Sequence, residues 1–200
     1  MKYQCSNQNR WADHYAEKAK KENFPARSVY KLQEIQQKNN LIKKGHRVLD
    51  LGCAPGSWLL YAASLTGETG SVVGIDLQPV SVKLPSHVTA HIGDMLSPDQ
   101  TLLTTAGKRF NVVLSDMAPS TTGNKTVDAA RSLALCETAF FIAKQVLVPG
   151  GSFVCKIFQG EDFKAFSDSV KADFKVHKIF KPKSSRKASR EIYIIGTGKK

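Results

Sequence analysis

"RVLDLGCAPGSW", Arg47 to Trp58, begins as an apolar strand and breaks into Gly52, Pro55 and Gly56 where a helix should start. A glycine-rich turn between strand and helix lets backbone N–H groups approach a ligand, and dinucleotide, nucleoside triphosphate and S-adenosylmethionine (SAM) sites all use that device. The neighbouring residues discriminate between them. A dinucleotide fingerprint needs glycine where Ala54 stands, and a P-loop needs Gly-Lys-Ser/Thr where this chain has Gly56-Ser57-Trp58. Asp50, just before Gly52, places negative charge beside the turn, which suits the cationic sulfonium and α-amino group of SAM and opposes a pyrophosphate.

Outward from this turn, apolar and β-branched runs mark the strands "RVLDL", "SVVGIDL", "VTAHI", "FNVVLSD", "GSFVCKIF", "FKVHKIF" and "EIYIIGTG". Amphipathic stretches separate most of them, notably "SWLLYAASL", "TVDAARSLALCETAFFIAKQVL" and "EDFKAFSDSVKADF". Strands spaced by helices predict a largely parallel sheet covered on both faces. The last two strands are joined by "KPKSSRKASR", which has no helical period, and a connection without a crossover helix requires an antiparallel pair. The expected fold is α/β: a Rossmann-like class I SAM-dependent methyltransferase with a seven-stranded, mostly parallel sheet, an antiparallel last strand and helices on both faces. One domain is expected over residues 1–200, with 1–40 forming a basic helical extension packed on it.

With 200 residues, 42% of them hydrophobic, the chain suits a single sizeable core. The most apolar helical stretch, "AFFIAKQVLV", is interrupted by Lys144 and Gln145 and falls short of a membrane span, and "MKYQCSNQNRW" has no apolar run of a secretory signal. Cys5, Cys53, Cys136 and Cys155 show no metal-ligand spacing, nor do His14, His46, His87, His91 and His177. A cytoplasmic protein with reduced thiols and no metal is expected. The net charge of +12 favours a polyanionic partner, nucleic acid first. It concentrates at the two ends, from Lys18, Lys20, Lys21 and Arg27 to Lys31, and from Lys175 through Lys183, Arg186 and Lys187 to Arg190. Trp11, Tyr15 and Ala19 share one helical face, read as packing, with the lysines beyond them as phosphate contacts.

Asp76, ending the second strand, is placed to receive the ribose hydroxyls of an adenosine, with Leu77 beside it. Asp94, after the third strand, suits the adenine amino group while Met95 packs on the ring. Either aspartate alone serves equally well as a helix cap. Trp58 follows the turn and is expected to cover the methionine part of SAM or to pack in the core.

Four further stretches, "ARSVYKLQEI", "SDMAPSTTG", "PGGSFVCKIFQGE" and "SSRKASREIYIIGTGKK", together with "DLGCAPGSW", closely resemble the FtsJ/RrmJ family of large-subunit ribosomal RNA methyltransferases over nearly the whole chain. The resemblance implies SAM as cofactor, transfer of its methyl group to the ribose 2′-hydroxyl of a uridine in 23S ribosomal RNA, the large ribosomal subunit as partner, and a monomer. It places the family's Lys-Asp-Lys-Glu catalytic set on Lys31, Asp116, Lys156 and Glu191, with Asp116 also at the mouth of the SAM site. Transfer RNA as substrate, or a non-catalytic role in ribosome assembly, are the alternatives.

Those residue types fit the chemistry. A ribose hydroxyl is a poor nucleophile and must be aligned with the methyl group and relieved of its proton. A lysine does this only when neutral, against a reference pKa of about 10.4, and a second ammonium and partial burial both favour the neutral form. Lys156 is assigned as base and Lys31 as the neighbour that assists it and orients the hydroxyl. Asp116 orients Lys156, and Glu191 positions the second lysine or the ribose.

Overall fold

The computed structural model describes residues 7–95, 109–186 and 188–200; Cys5 and Lys187 lie outside the described residues. Two helices, α1 (Asn7–Lys21) and α2 (Val29–Asn39), lead into β1 (Arg47–Leu51), α3 (Ser57–Thr66), β2 (Ser71–Asp76), β3 (Val88–Ile92) and β4 (Phe110–Ser115). The second half comprises α4 (Lys125–Val146), β5 (Leu147–Phe158), α5 (Phe163–Asp173), β6 (Phe174–Phe180) and β7 (Glu191–Lys199).

The seven strands form one sheet in the order β3-β2-β1-β4-β5-β7-β6. The β3, β2, β1, β4 and β5 strands run parallel, while β7 is antiparallel to both β5 and β6. Alternation along each strand divides the core between the faces. Leu49, Leu51, Val113, Phe153 and Cys155 pack with Phe140, Ala143 and Phe166 of α4 and α5. Their strand neighbours Val48, Val112, Leu114 and Val154 pack with Leu32, Ile35, Leu59 and Ala62 of α2 and α3. Both faces are therefore covered, which explains why the strands read as continuous apolar runs.

One local feature departs from the sequence pattern. The β5 strand begins at Leu147, directly after α4, although "VPGG" reads as a break; the extra residues are taken up by a register shift opposite Phe110 and Val112. Within the expected N-terminal helical extension, α2 starts at Val29, and its C-cap Asn40 adopts a left-handed conformation and donates its N–H to the Gln36 carbonyl. From α1, Tyr15 and Ala19 pack with Val29 and Tyr30, with Tyr61 of α3 against the same cluster.

Strand order reverses between β1 and β4. In such sheets the crevice beyond the carboxyl ends of the strands at this point is where ligands bind.

Candidate active site

Four strand ends line a cavity of about 340 Å³ at that reversal. Gly52 and Ala54 follow β1, Asp76 ends β2, Asp94 and Met95 follow β3, and Asp116 follows β4. Gly52 has φ +77°, and a Cβ there would stand 2.5 Å from the Met117 Cγ, so the turn requires glycine both for its left-handed backbone and for this close approach. The Asp76 carboxylate accepts the Ala54 N–H at 2.9 Å and the Gln78 N–H at 2.8 Å, tying the turn to the end of β2. Asp50 lies behind the turn, completely buried, and neither of its carboxylate oxygens has a hydrogen-bond partner among the described residues. Burial, followed by the charges of Asp116 and Asp76, raises its carboxyl well above the usual range.

Beside this cavity the two lysines of the expected set form separate ion pairs. Lys156 Nζ lies 3.0 Å from Asp116 Oδ1 and donates to the Asp116 carbonyl at 2.5 Å. Tyr193, opposite Lys156 in the β5–β7 ladder, donates its hydroxyl to the same Asp116 Oδ1 at 2.6 Å. Asp116 is therefore fixed from two sides by a side chain of each strand. Lys31 of α2 lies 2.7 Å from Glu191 Oε1, which also accepts the Ser185 hydroxyl at 2.7 Å. Burial pushes the Glu191 carboxyl up, but the Lys31 ion pair, the Ser185 hydroxyl and the charge of Lys156 outweigh it and hold Glu191 below its ordinary value. Glu191 thus feels both lysines, and Lys156, paired with Asp116, is only 6% exposed.

On the far side of the Lys31–Glu191 pair is a second cavity of about 490 Å³, lined by Arg27, Lys31, Arg186 and Glu191. Its walls come from the segment entering α2 and from the β6–β7 connection. The two are joined by specific bonds: the Glu34 carboxylate accepts the Lys183 and Ser184 N–H groups at 2.7 and 2.8 Å, and Arg27 donates to the Ser184 carbonyl at 2.7 Å. Burial and then the nearby Arg186 charge lower Arg27 from its ordinary value.

Of the expected set, Asp116 lines the first cavity and carries Lys156, while Lys31 and Glu191 pair at the second, and Gly52, Asp76, Leu77, Asp94 and Met95 surround the first. Pro55 and Gly56 complete the turn into α3 without lining it. Of the two expectations for Trp58, the structure shows packing and not a place in the first cavity: it is buried on the other face, donates its indole N–H to the Ser28 carbonyl at 2.9 Å and packs beside Tyr193. Arg190, expected to contact phosphate, instead donates to the Lys125 carbonyl at 3.1 Å and to the Gln159 carbonyl, fastening α4 and β5 to the start of β7. Lys18 sits over the Tyr30 ring and 3.8 Å from Glu22, whereas Lys20, Lys21, Lys183 and Arg186 are exposed. Sequence reasoning missed Tyr193, Glu34 and Ser185. For Tyr193 a signal existed, since it lies two residues beyond Glu191 on the same strand.

A doubly wound sheet ending in an antiparallel β7, with a cavity at the strand reversal, has the architecture of the class I methyltransferases. Human methyltransferase-like protein 13, crystallised in complex with SAH, shares that fold at a TM-score of 0.57 and 13% identity over 76% of this chain and 71% of that one. The model of the FtsJ-like methyltransferase family matches residues 24–199, and the chain belongs to that family. It is 60% identical over 192 residues to ribosomal RNA large subunit methyltransferase E of Desulforapulum autotrophicum, covering 96% of this chain and 95% of that protein. The corresponding protein of Desulfatibacillum aliphaticivorans is 54% identical, with 100% and 97% covered. A Plasmodium falciparum protein described as a ribosomal RNA methyltransferase has a crystal structure matching at a TM-score of 0.76 and 27% identity, over 88% of this chain and 98% of that one.

Proposed function

We propose that this protein uses SAM to methylate the ribose 2′-hydroxyl of a uridine in the 23S ribosomal RNA of the large subunit. The observation that carries this reading is the two largely buried lysine–carboxylate contacts, Lys156–Asp116 at an acidic cavity and Lys31–Glu191 at a basic one.

The acidic cavity fits a cationic cofactor. Asp76, Asp94 and Asp116 line it, and the unpartnered Asp50 carboxyl behind it is a group that a nearby positive charge would satisfy. SAM, when bound, supplies a methyl group on a sulfonium cation. Asp76 and Asp94 would hold its ribose and adenine, Leu77 and Met95 the ring faces, and the Gly52 backbone the amino-acid end.

The remaining work falls to the four polar side chains. Lys156 takes the proton from the 2′-oxygen as that oxygen becomes the nucleophile. Asp116, held by Tyr193, aims the Lys156 amine and favours the positive charge it gains. Lys31, held by Glu191 and Ser185, orients the hydroxyl toward the first cavity. The exposed cations Lys20, Lys21, Lys183 and Arg186, with Lys18 and Arg27, attract the RNA backbone.

The test is to supply labelled SAM with naked 23S ribosomal RNA, unmodified large subunits or transfer RNA, and to map the modified nucleotide. Label at a uridine 2′-oxygen of 23S RNA is the expected result. Label on transfer RNA alone, or on a base nitrogen or carbon, overturns it.

A further inference from the structure

We propose that a third cavity, at the end of β5, takes the uracil of the acceptor nucleotide, with Glu161 accepting from its N3–H and Arg190 donating to a neighbouring ring carbonyl. The inference rests on the proposed uridine substrate and says which side chains choose that base.

The cavity, of about 150 Å³, lies between the first half of α4 and the turn from β5 into α5. Ala129, Ala130 and Leu133 wall it on one side, and Ile157, Phe158 and Phe163 on the other. That is the space of roughly five waters at about 30 Å³ each, enough for one planar heterocycle against apolar and aromatic groups. Ile157 and Phe158 directly follow Lys156, so roughly 7 Å of strand separates Lys156 from the far wall residue. Phe158 also stands opposite Glu191 in the β5–β7 ladder. Side chains alternate along β5: Val154 packs toward α2 and α3, Cys155 and Ile157 toward α4 and α5. A nucleotide whose ribose meets Lys156 therefore straddles the strand end, and its base descends on the α4 side.

The polar groups lining the cavity suit the edge of uracil. Glu161 has no hydrogen-bond or ion-pair partner among the described residues, and none of them joins it to Arg190. A carboxylate repels the RNA backbone but can meet a base edge, where sequence is read. It can only accept, and N3–H is the one donor on the pairing edge of uracil. Arg190 is held in place by donating to the Lys125 and Gln159 carbonyls, and a guanidinium has five N–H donors in a rigid fork, which leaves others for a ring oxygen. Asp162 borders the same cavity but stands at the N-cap of α5, where its charge favours the helix N-terminus. With the ribose fixed for transfer, cytosine would turn an N3 lone pair toward Glu161 where uracil turns a proton, and a site built to bond one group rejects the analogue lacking it.

The experiment compares wild type with Glu161→Gln, whose amide can donate as well as accept and whose carboxylate parent is exposed. The substrates are unmodified large subunits with uridine or cytidine at the mapped acceptor position, read as kcat/KM for methyl transfer from labelled SAM. Wild type should favour uridine, and Glu161→Gln should reduce that preference about tenfold, losing on uridine and gaining on cytidine. Asp162→Asn should keep the wild-type preference. Ala130→Phe, which fills the cavity from an exposed helix position, should raise KM for the uridine subunits and leave SAM affinity unchanged by calorimetry. The same preference in wild type and Glu161→Gln overturns the proposal, as does coupling of Glu161 to a base flanking the acceptor and not to the acceptor itself. Binding of labelled uridine and cytidine decamers, read by fluorescence anisotropy, supplies a measure that needs no methyl transfer. Where methylation occurs, the kinetics decide: transfer to a uridine without coupling to Glu161 retains the proposed function and removes the base site. Where none occurs, the decamers decide: a uridine-to-cytidine affinity ratio that shifts in Glu161→Gln retains the uracil site and removes the function, and an unshifted ratio removes both.

Discussion

The two cavities bordered by Asp116 on one side and by Lys31 and Glu191 on the other are built by opposite means. The first is acidic and stands on strand ends: every carboxylate around it ends a strand of the parallel sheet or follows it within two residues. The second is basic and stands on a helix and a long connection, sewn together by Glu34, Arg27 and the Lys31–Glu191 pair. The difference separates the tasks. A rigid strand-end cradle suits a small cationic donor of fixed shape, whereas a cleft framed by loop and helix can admit one nucleotide of a large polyanion. The groups proposed to perform the transfer border the two cavities, each lysine tied to a carboxylate.

The largest effect expected is at that boundary. Lys156→Ala should lower single-turnover methylation by roughly 10²–10⁴ while SAM and RNA affinities change little. Since the substitution leaves Asp116 without its cation, and breaking a buried pair costs roughly 3–5 kcal/mol, melting of the variant is measured alongside. Lys156→Arg keeps the charge and should not rescue, because guanidinium does not give up its proton. Near wild-type chemistry in Lys156→Arg would reassign Lys156 from base to electrostatic guide.

Next in size is the first cavity taken alone. Asp76→Ala and Asp94→Ala should each weaken SAM by roughly 1–3 kcal/mol by calorimetry, the range for removing one hydrogen-bonding partner at a buried site. RNA binding should not respond. Asp76→Asn should cost less than Asp76→Ala, because an amide oxygen can still accept the Ala54 or Gln78 N–H. Equal loss of RNA affinity in these variants would mean that the two cavities are not separate in function.

Smaller effects are expected in the second cavity. Charge reversal at Lys183 and Arg186 should flatten the salt dependence of RNA binding by under about one unit for each phosphate no longer neutralised. SAM affinity should stay constant. If Lys183 contributes nothing while Arg186 does, recognition lies in the cleft and the rest of the loop is ordinary solvated surface.

This contrast also explains what the sequence made legible. Gly52, Asp76 and Asp94 could be read because each follows a strand pattern directly, and strand ends in an α/β sheet share one rim. The register bringing Tyr193 opposite Lys156 could not be read, because it depends on how β7 pairs with β5. Glu34 reads as one more helix-surface acid until the β6–β7 connection folds back onto it. Trp58 is ambiguous in the sequence for a related reason: a helix's first turn can direct an indole either way, and the Ser28 carbonyl from a distant segment decides. Arg190 shows the limit of counting charge, since composition does not say whether a guanidinium meets phosphates or the protein's own carbonyls.

The smallest effect sharpens the comparison from within the first cavity. Asp50 is buried, its oxygens without a partner among the described residues and its carboxyl raised well above the usual range, chiefly by burial and then by Asp116 and Asp76. In the unfolded chain it ionises near about 3.9. Between that value and the higher folded one, the unfolded state has released a proton that the native state keeps, so stability falls as pH rises through this window, and the penalty is complete above the folded pKa. Asp50→Asn cannot ionise in either state. Without SAM it should therefore melt higher than wild type, by about 2–4 °C for each kcal/mol recovered, with the difference growing as pH rises from about 4 and levelling once native Asp50 ionises. A bound cation should reverse the ranking by giving the carboxylate a charge to face, so Asp50→Asn should bind SAM more weakly, and wild-type binding below the folded pKa should release protons, visible as a buffer-dependent calorimetric enthalpy. A melting difference independent of pH, or SAM affinity equal in the two proteins, would remove Asp50 from the donor cavity's electrostatics and leave its acidity to Asp76, Asp94 and Asp116.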